Sequence, residues 1–271
     1  MPTKKTLGWV IAVALIAAAI ALLYYWVQKG VPPKVQSLPP PAAEVLPTPE
    51  VSTEPKALYP VTEEQAAEQP PLVTLGESDA ALRDALAAST GGTLLVEKVI
   101  FSNLIRRIVA TVDNLPRKKV AQRLLPVKNV QGLILVAHED QGVTLSPENS
   151  ARYAAHMRVL DAVDPKQLVA LYVRFYPLFQ EAYRDLGYPN GYFNDRLVEV
   201  IGHLLATPEV KGPLRLVQPK VMYKFADPEL EALSAGQKTL IRMGNANALR
   251  IKAKLREIRK ELISQAANRP D

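Results

Sequence analysis

The sequence predicts a mostly α-helical domain with a small β-hairpin ornament, preceded by one transmembrane helix and a disordered proline-rich linker. Three features predict it: an uncharged apolar run near the start, recurring prolines after it, and apolar residues at helical spacing through most of the remainder. About 200 residues follow the prolines, enough for one substantial hydrophobic core. The predicted parts are a cytoplasmic start (1–6), a transmembrane helix (7–27), a linker (28–74), a helical periplasmic domain (75–265) and a tail (266–271).

The apolar run Leu7–Val27 contains no charged residue over its 21 positions. A helix of about 20 apolar residues crosses roughly 30 Å of hydrocarbon. Aromatic side chains stand at both ends of the run, as they do at the two headgroup layers of a bilayer: Trp9, Tyr24, Tyr25 and Trp26. A cleaved signal peptide is the alternative, but its apolar run is about 7 to 15 residues long and ends in small residues. The run therefore favours a retained anchor that contacts the lipid bilayer through residues 7–27.

Charges beside the run indicate the orientation of the anchor less directly. Lys4 and Lys5 precede it and Lys29 and Lys34 follow it, so the basic residues nearly balance. Because few residues precede the run and an acidic segment follows it, we predict a cytoplasmic N-terminus. The protein is then a single-pass protein of the bacterial inner membrane with a periplasmic C-terminal domain. Reversed topology, with a cytosolic domain that binds nucleic acid, is the alternative.

The net charge of +6 is unevenly divided, since residues 1–29 carry +3, residues 30–74 carry −4 and residues 75–271 carry +7. A basic domain outside the cytoplasm favours an envelope protein or an anionic wall or lipid component as partner, and no nucleic acid. The acidic stretch, typified by "VPPKVQSLPPPAAEVLPTPE", has too few apolar side chains to offset the entropy of ordering. We therefore predict a disordered spacer there. The absence of cysteine excludes disulfide and thiol chemistry.

Helix starts are marked by side chains that cap exposed backbone N–H groups. Ser146, Asp164 and Asp227 each precede a proline, which fits the first helical position because its missing N–H would be unpaired there. Ser234 and Gln237 have the spacing of a capping box. These signals predict four helix N-termini in the second half of the chain.

Two stretches interrupt the helical pattern. The stretch "LILVAHEDQGVTL" (Leu133–Leu145) places a turn between two apolar runs and predicts a β-hairpin. The stretch "PLRLVQPKVMYKF" (Pro213–Phe225) predicts further short extended pieces, with Pro219 confined to an edge or a bend. The β-structure is therefore expected to be a small addition to a helical domain.

Apolar positions from Leu168 to Leu186 recur at helical spacing over five turns and predict one buried helix face. The run from Phe193 to Leu205 has the same period, and the "GYPNG" between the two predicts a compact reversal. The tip of this helical hairpin either forms a corner of the core or grips a partner. Its polar and aromatic residues are Tyr188, Asn190, Tyr192, Asn194, Asp195 and Arg196.

Basic residues gather in two places. One is the turn that begins at Asp113 and Asn114, surrounded by Arg106, Arg107, Arg117, Lys118, Lys119 and Arg123. The other is the last helix, which carries Arg250, Lys252, Lys254, Arg256, Arg259 and Lys260. That helix is either solvated, with Glu257 and Glu261 in ion pairs, or attractive to anionic headgroups, wall polymer or an acidic protein. The candidate binding residues are Asp113, Asn114, Arg117, Lys118, Tyr188, Tyr192, Asn194, Asp195 and Arg196.

Motifs for catalysis or cofactor binding are weak. His138, His156 and His203 fall on three different predicted elements, so we predict neither a metal site nor any cofactor. The segment "AGQKTL" lacks the upstream glycine of a phosphate-binding loop, and no G-x-S-x-G motif is present. Glu181 is the single candidate for a general acid, which leaves a hydrolase or lytic enzyme acting on peptidoglycan as the alternative function.

Three long blocks resemble the bacterial family known as domain of unknown function 3014. They are "IRRIVATVDNLPRKKV", "YPLFQEAYRDLGYPNGYFNDRLVEVIGHLLATPEV" and "FADPELEALSAGQKTLIRMG". The layout of that family, an N-terminal anchor and a proline-rich linker, is also similar to this chain. The resemblance implies a location in the Gram-negative envelope and brings no catalytic residues. We therefore predict a membrane-tethered interaction or scaffolding module without catalysis, and we assign no oligomeric state.

Overall fold

The computed structural model describes residues 56–61, 73–140 and 142–267. The predicted transmembrane helix at 7–27 and most of the predicted linker lie outside these residues. Within the described ranges, no helix is both long enough and apolar enough to cross a membrane. The prediction of a mostly helical domain with a small antiparallel β-structure is confirmed.

The described residues form nine α-helices and four strands. The helices are α1 (Ser78–Ala87), α2 (Gly92–Lys98), α3 (Leu104–Asn114), α4 (Ala154–Ala162), α5 (Pro165–Asp185), α6 (Phe193–Leu205), α7 (Pro228–Ala232), α8 (Ala235–Arg242) and α9 (Asn245–Ala267). The strands are β1 (Val136–Glu139), β2 (Gly142–Leu145), β3 (Arg215–Val217) and β4 (Lys224–Phe225). Short 3-10 helices cover Leu75–Glu77, Gln122–Leu124 and Pro147–Tyr153.

Capping side chains begin the helices as predicted. The Asp164 carboxylate accepts from the backbone N–H of Gln167 at 2.8 Å, and the Asp227 carboxylate accepts from that of Glu229 at 2.8 Å. Both halves of the capping box at Ser234 are formed. Ser146 also caps a helix, but the residues after it form the 3-10 helix Pro147–Tyr153 before α4 begins. Local side-chain chemistry therefore sets these starts, while the type of helix that follows Ser146 differs from the expectation.

The four strands form one antiparallel sheet in the order β1-β2-β3-β4. The predicted hairpin is confirmed, with Val136 opposite Leu145 and Glu139 opposite Gly142. The second predicted stretch extends the same sheet, because Leu216 of β3 lies opposite Val143 of β2. Pro219 falls in the turn between β3 and β4, where its missing N–H removes no ladder hydrogen bond.

Helix α5 lies at the centre of the apolar core. One face packs with α1, α3 and the start of α6 around Phe175 and Phe179, and Phe193 of α6 is fully buried there. The rings of Phe179 and Phe193 stack with centroids 5.7 Å apart. The side of α5 that carries Val169 packs with α6 and with Leu262 of α9. The helical hairpin α5–α6 therefore positions both α3 and α9, the two elements that carry the basic residues.

Candidate functional site

The reversal between α5 and α6 is fixed by the buried amide of Gln180. Its Nε2 donates to the carbonyl of Gly191 at 2.7 Å, and its Oε1 accepts from the backbone N–H of Phe193 at 2.9 Å. The Tyr176 hydroxyl donates to the same Oε1 at 3.0 Å. Because this buried amide makes three hydrogen bonds, it is costly to disturb and holds the two helices in a fixed reversal.

Two tyrosine rings stack at this corner. The rings of Tyr183 and Tyr188 lie 4.6 Å apart between centroids and within 16° of parallel. A Cβ at Gly191 would come within 2.9 Å of Cε1 of Tyr183, closer than real Cβ atoms come to a neighbouring heavy atom. Gly191 therefore leaves the room that the Tyr183 ring needs, and the stack directs the Tyr188 hydroxyl toward the end of α3.

The centre of the corner is a buried carboxylate, that of Asp113 at the end of α3, which is 2 % exposed. It accepts from Nη2 of Arg117 at 2.6 Å, from Nε of Arg196 at 3.1 Å and from the Tyr188 hydroxyl at 3.2 Å. Arg196 also donates to the backbone carbonyl of Asp113 at 3.1 Å and to the Glu199 carboxylate at 2.9 Å. Charge-assisted bonds of this kind are stronger than neutral ones, so the cluster fastens α3 to α6.

Burial and neighbouring charges shift the pKa of several groups here. Burial alone would lower the pKa of the Arg196 guanidinium, but the hydrogen bond to Glu199 and the charges of Glu199 and Asp113 raise it above its ordinary value. Burial also raises the pKa of Tyr183, and it raises the pKa of Tyr176 to about 12. These phenols are therefore neutral near pH 7, and that of Tyr176 donates to Oε1 of Gln180.

A second cluster, at the start of α6, holds an earlier segment of the chain. The Asp195 carboxylate accepts from the backbone N–H groups of Leu58 and Tyr59 at 2.9 and 2.8 Å. Nδ2 of the fully buried Asn194 donates to the carbonyl of Tyr59 at 2.8 Å. The Tyr172 hydroxyl donates to Oδ1 of Asn194 at 3.2 Å, which orients that amide. The clamp of Asn194 and Asp195 thus binds this earlier segment through its backbone, at the bend of Leu58 and Tyr59.

The clamped segment Lys56–Val61 also contributes to the core. Tyr59 and Val61 pack against the apolar cluster between α5, α6 and α9, which includes Leu262. The segment falls within the stretch predicted as linker. It packs on the domain through Tyr59 and Val61, and Tyr59 is the only aromatic residue of the predicted linker 28–74.

The remaining predicted binding residues have separate places. Asn114 donates to the carbonyl of Ala110 at 2.6 Å, one turn back on its own helix. Lys118 donates to the carbonyl of Ala232, and Tyr192 is the half-buried residue that precedes α6. The structure therefore joins Asp113, Arg117, Tyr188 and Arg196 in one cluster. It places Asn194 and Asp195 in the clamp.

Helix α9 carries a groove whose apolar part the sequence did not reveal. Arg256, Arg259 and Lys260 line a cavity of about 440 Å³ together with Leu205, Ile263 and Ser264. The other three basic residues of the helix are engaged: Arg250 pairs with Asp161, Lys252 donates to the carbonyl of Thr207, and Lys254 donates to that of Val163. The sequence signal for this groove was the helical spacing of its α9 residues, Arg256, Arg259, Lys260 and Ile263. The contribution of Leu205 could not be predicted in this way, because Leu205 lies on α6.

Comparison with protein families decides the relationship that the three sequence blocks suggested. Residues 104–259 match the family model described as "Protein of unknown function (DUF3014)". The chain belongs to this DUF3014 family. No curated protein matches the chain, and no solved structure does. The matched DUF3014 region contains the Asp113 cluster and the clamp, whereas the segment Lys56–Val61 precedes it.

Histidines and acidic residues of this DUF3014 protein are dispersed. His203 lies 2.9 Å from the Ser234 hydroxyl, and Nε2 of His156 lies 3.0 Å from the carbonyl of Lys128. Among the described residues, no three His, Asp or Glu side chains are grouped so that they could hold a metal ion. Glu181 is exposed on α5 and lines neither the α9 groove nor a second cavity, of about 340 Å³, beside β2. Neither of these two cavities could therefore bring a substrate to Glu181 for the predicted role as a general acid.

Proposed function

We propose that this protein is a membrane-tethered interaction or scaffolding module of the bacterial cell envelope. In this proposal residues 7–27 anchor the chain in the inner membrane and the domain lies on the periplasmic side. The apolar run with aromatic residues at both ends supports the anchor. The positive charge of residues 75–271 supports an anionic partner, either an envelope protein or a wall or lipid component.

The observation that carries the proposal is the clamp on Lys56–Val61. The chain that leads from the proposed anchor is bound to α6 by three hydrogen bonds, two of them to a carboxylate. Hydrogen bonds to an ionised acceptor are about twice as strong as neutral ones. The tether therefore ends at Lys56 on a defined face of the domain. The part of the predicted linker before it, residues 28–55, spans about 90 Å at 3.1 Å per residue.

A binding role is also favoured by the different surroundings of the Asp113 carboxylate and of the cations on α9. The buried carboxylate of Asp113 is already surrounded by donors from Arg117, Tyr188 and Arg196. A general acid or nucleophile needs reach to a substrate, whereas this carboxylate is 2 % exposed. The cations on α9 that lack partners among the described residues are, in contrast, positioned for an external anion.

Cell fractionation and a topology reporter test the tether. A C-terminal alkaline phosphatase fusion of the full chain should be active, and the protein should sediment with membranes until detergent is added. A matched variant with Leu15→Arg and Ala18→Arg in the apolar run should lose membrane association, because each charge at a bilayer centre costs about 2.5–3.5 kcal/mol. An inactive phosphatase fusion, or wild-type protein in the soluble fraction without detergent, would refute the proposal.

The partner can be sought with the full chain in cells. A photo-crosslinking residue at Lys260, beside the α9 groove, should capture an envelope component. The same residue at Arg184, exposed on α5, is the matched control and should capture much less. Equal capture from both positions would show that α9 has no preferred role in recognition.

A further inference from the structure

The groove on α9 combines positive charge with an apolar floor. Helical geometry of about 100° per residue places Arg256, Arg259, Lys260 and Ile263 on one side of the helix. The same geometry places the acidic Glu257 and Glu261 on the neighbouring side, and the lining of the cavity includes neither of them. Glu257 instead lies 3.8 Å from Nζ of Lys254, so among the described residues the acids of this helix form no ion pair with the groove cations.

The three cations at the groove are unpaired in the part of the chain that the structure describes. Arg256, Arg259 and Lys260 have neither an ion-pair partner nor a hydrogen-bond acceptor there, unlike the three basic residues earlier in the helix. Nε of Arg259 is buried and has no acceptor among the described residues. Buried polar atoms in proteins usually have a partner, so this N–H is free to donate to an acceptor that a ligand in the groove would supply.

The volume and the aliphatic lining of the groove indicate which class of ligand could supply that acceptor. A cavity of about 440 Å³ falls within the range of small-ligand sites, which is about 300–1,000 Å³. Leu205 and Ile263 line it with aliphatic surface, which attracts an alkyl group rather than a fully hydrated ion. The complementary ligand therefore has an anionic head and an aliphatic portion beside it.

We infer that the α9 groove docks on an anionic phospholipid surface, with Arg256, Arg259 and Lys260 binding the lipid phosphate and Leu205 and Ile263 contacting the start of its alkyl chains. The inference rests on the proposed membrane tether. Residues 28–55 of the predicted linker span about 90 Å, which exceeds the radius of gyration of about 16 Å expected for a domain of 200 residues. The length of this part therefore permits the groove to reach the bilayer that holds the anchor.

The test uses the full chain reconstituted in nanodiscs, labelled near the groove. Because the natural chain has no cysteine, a Gln265→Cys variant carries a single fluorophore beside Ser264. Discs contain either phosphatidylglycerol or phosphatidylcholine, with a headgroup nitroxide lipid that quenches nearby fluorophores. We expect strong quenching in the anionic discs, weak quenching in the neutral discs, and loss of the difference as salt rises from 0.05 to 0.5 M, since salt screens exposed charges.

Charge variants separate the groove from general attraction. The double variant R256Q/K260Q should weaken docking about 25-fold, because each cation near an anionic surface is worth on the order of 1 kcal/mol, or about fivefold in affinity. The matched control K211Q/K220Q removes the same charge from exposed loop positions and should dock like the parent. Circular dichroism of each variant checks that the fold is retained.

Three results would overturn the inference: equal quenching in neutral discs, unchanged docking of R256Q/K260Q, or complete competition by soluble glycerol 3-phosphate at constant ionic strength. The last result would identify a free phosphate compound as the ligand. Co-elution of the chain with the discs reports the anchor separately. An anchored chain without quenching would therefore remove the groove assignment and leave the tether standing.

Discussion

The Asp113 cluster and the α9 groove use the same residue types in opposite ways. In the cluster, guanidinium groups from Arg117 and Arg196 surround a carboxylate that is buried between α3 and α6. In the groove, Arg256 and Lys260 are exposed and have no acidic partner among the described residues. The first arrangement stabilises the domain, whereas the second leaves its charge available to something else.

The difference lies in the carboxylate: the cluster contains a buried one, which binds Arg117 even though the Arg117 side chain is 54 % exposed, and the lining of the groove contains none. A charge taken out of water is costly unless an opposite charge and hydrogen bonds compensate it, so the buried carboxylate requires its arginines. An exposed cation is solvated by water and gains little from a partner. Four predictions test this contrast, for the Asp113 cluster, Tyr176, the clamp and the groove, and similar losses of stability in the cluster and the groove would contradict it.

The largest expected effect comes from Asp113→Ala. It removes the shared acceptor of the cluster and should lower the free energy of unfolding by about 3–5 kcal/mol, as breaking a buried ion pair does. Urea unfolding of the full chain measures it. The matched control is Asp185→Ala, which breaks the exposed ion pair with Arg106 and should cost at most about 1 kcal/mol. A loss under 1 kcal/mol for Asp113→Ala would mean that the cluster does not stabilise the corner.

Alkaline pH should affect the same corner next. Burial raises the pKa of Tyr176 from 10.0 to about 12, so the fold favours the neutral phenol. The stabilisation from the neutral phenol is fully present below pH 10 and should be lost between pH 10 and 12. The free energy of unfolding should fall by about 2–3 kcal/mol, since a difference of one in pKa corresponds to about 1.36 kcal/mol. Unfolding curves at several pH values should show a flatter decline for Tyr176→Phe. Tyr223→Phe, outside the corner, serves as the control and should keep the parental slope.

The clamp provides a third, smaller effect. Asp195→Ala removes the acceptor of two backbone N–H groups and should lower stability by about 1–2 kcal/mol while releasing Lys56–Val61. Hydrogen exchange of the amides of Leu58 and Tyr59 should accelerate at least about tenfold, since 1.4 kcal/mol corresponds to a factor of ten. Asp227→Ala removes a helix cap elsewhere and should leave these two amides unchanged. Unaltered exchange in Asp195→Ala would exclude the clamp.

The smallest expected effect is that of R256Q/K260Q on stability. Because neither side chain has a partner within the described domain, the free energy of unfolding should change by no more than about 0.5 kcal/mol. Urea unfolding of R256Q/K260Q and of Asp113→Ala under the same conditions compares the two losses of stability directly. A loss of more than about 1 kcal/mol would show that the groove, like the corner, is part of the folding framework.

Much of the fold could be predicted because its signals are local. The caps at Asp164, Asp227 and Ser234 act within three residues, and the period of α5 and α6 needs only the sequence of each helix. The sheet was only half predictable. The hairpin β1–β2 is local, but the pairing of Leu216 with Val143 joins segments more than 70 residues apart, and no turn signal specifies such a pairing.

The candidate site shows the same limit. The turn at Asp113 and the tip at Tyr188 were predicted as two separate surfaces, and the structure joins them through a contact between residues 75 positions apart. Composition alone placed Lys56–Val61 in a linker, since its few apolar residues have no helical or strand period. Leu205 of α6 completes the apolar lining of the α9 groove, so this lining could be recognised only from the fold.

The packing of Tyr59 and Val61 against the core has a practical consequence for recombinant expression. A fragment trimmed at the end of the prolines, beginning near Gly76, would leave Asn194 without its carbonyl partner and part of the Leu262 face uncovered. Such a fragment should be prone to aggregate and difficult to crystallise. A fragment that begins before Lys56 keeps these contacts, although composition alone places its boundary within the linker.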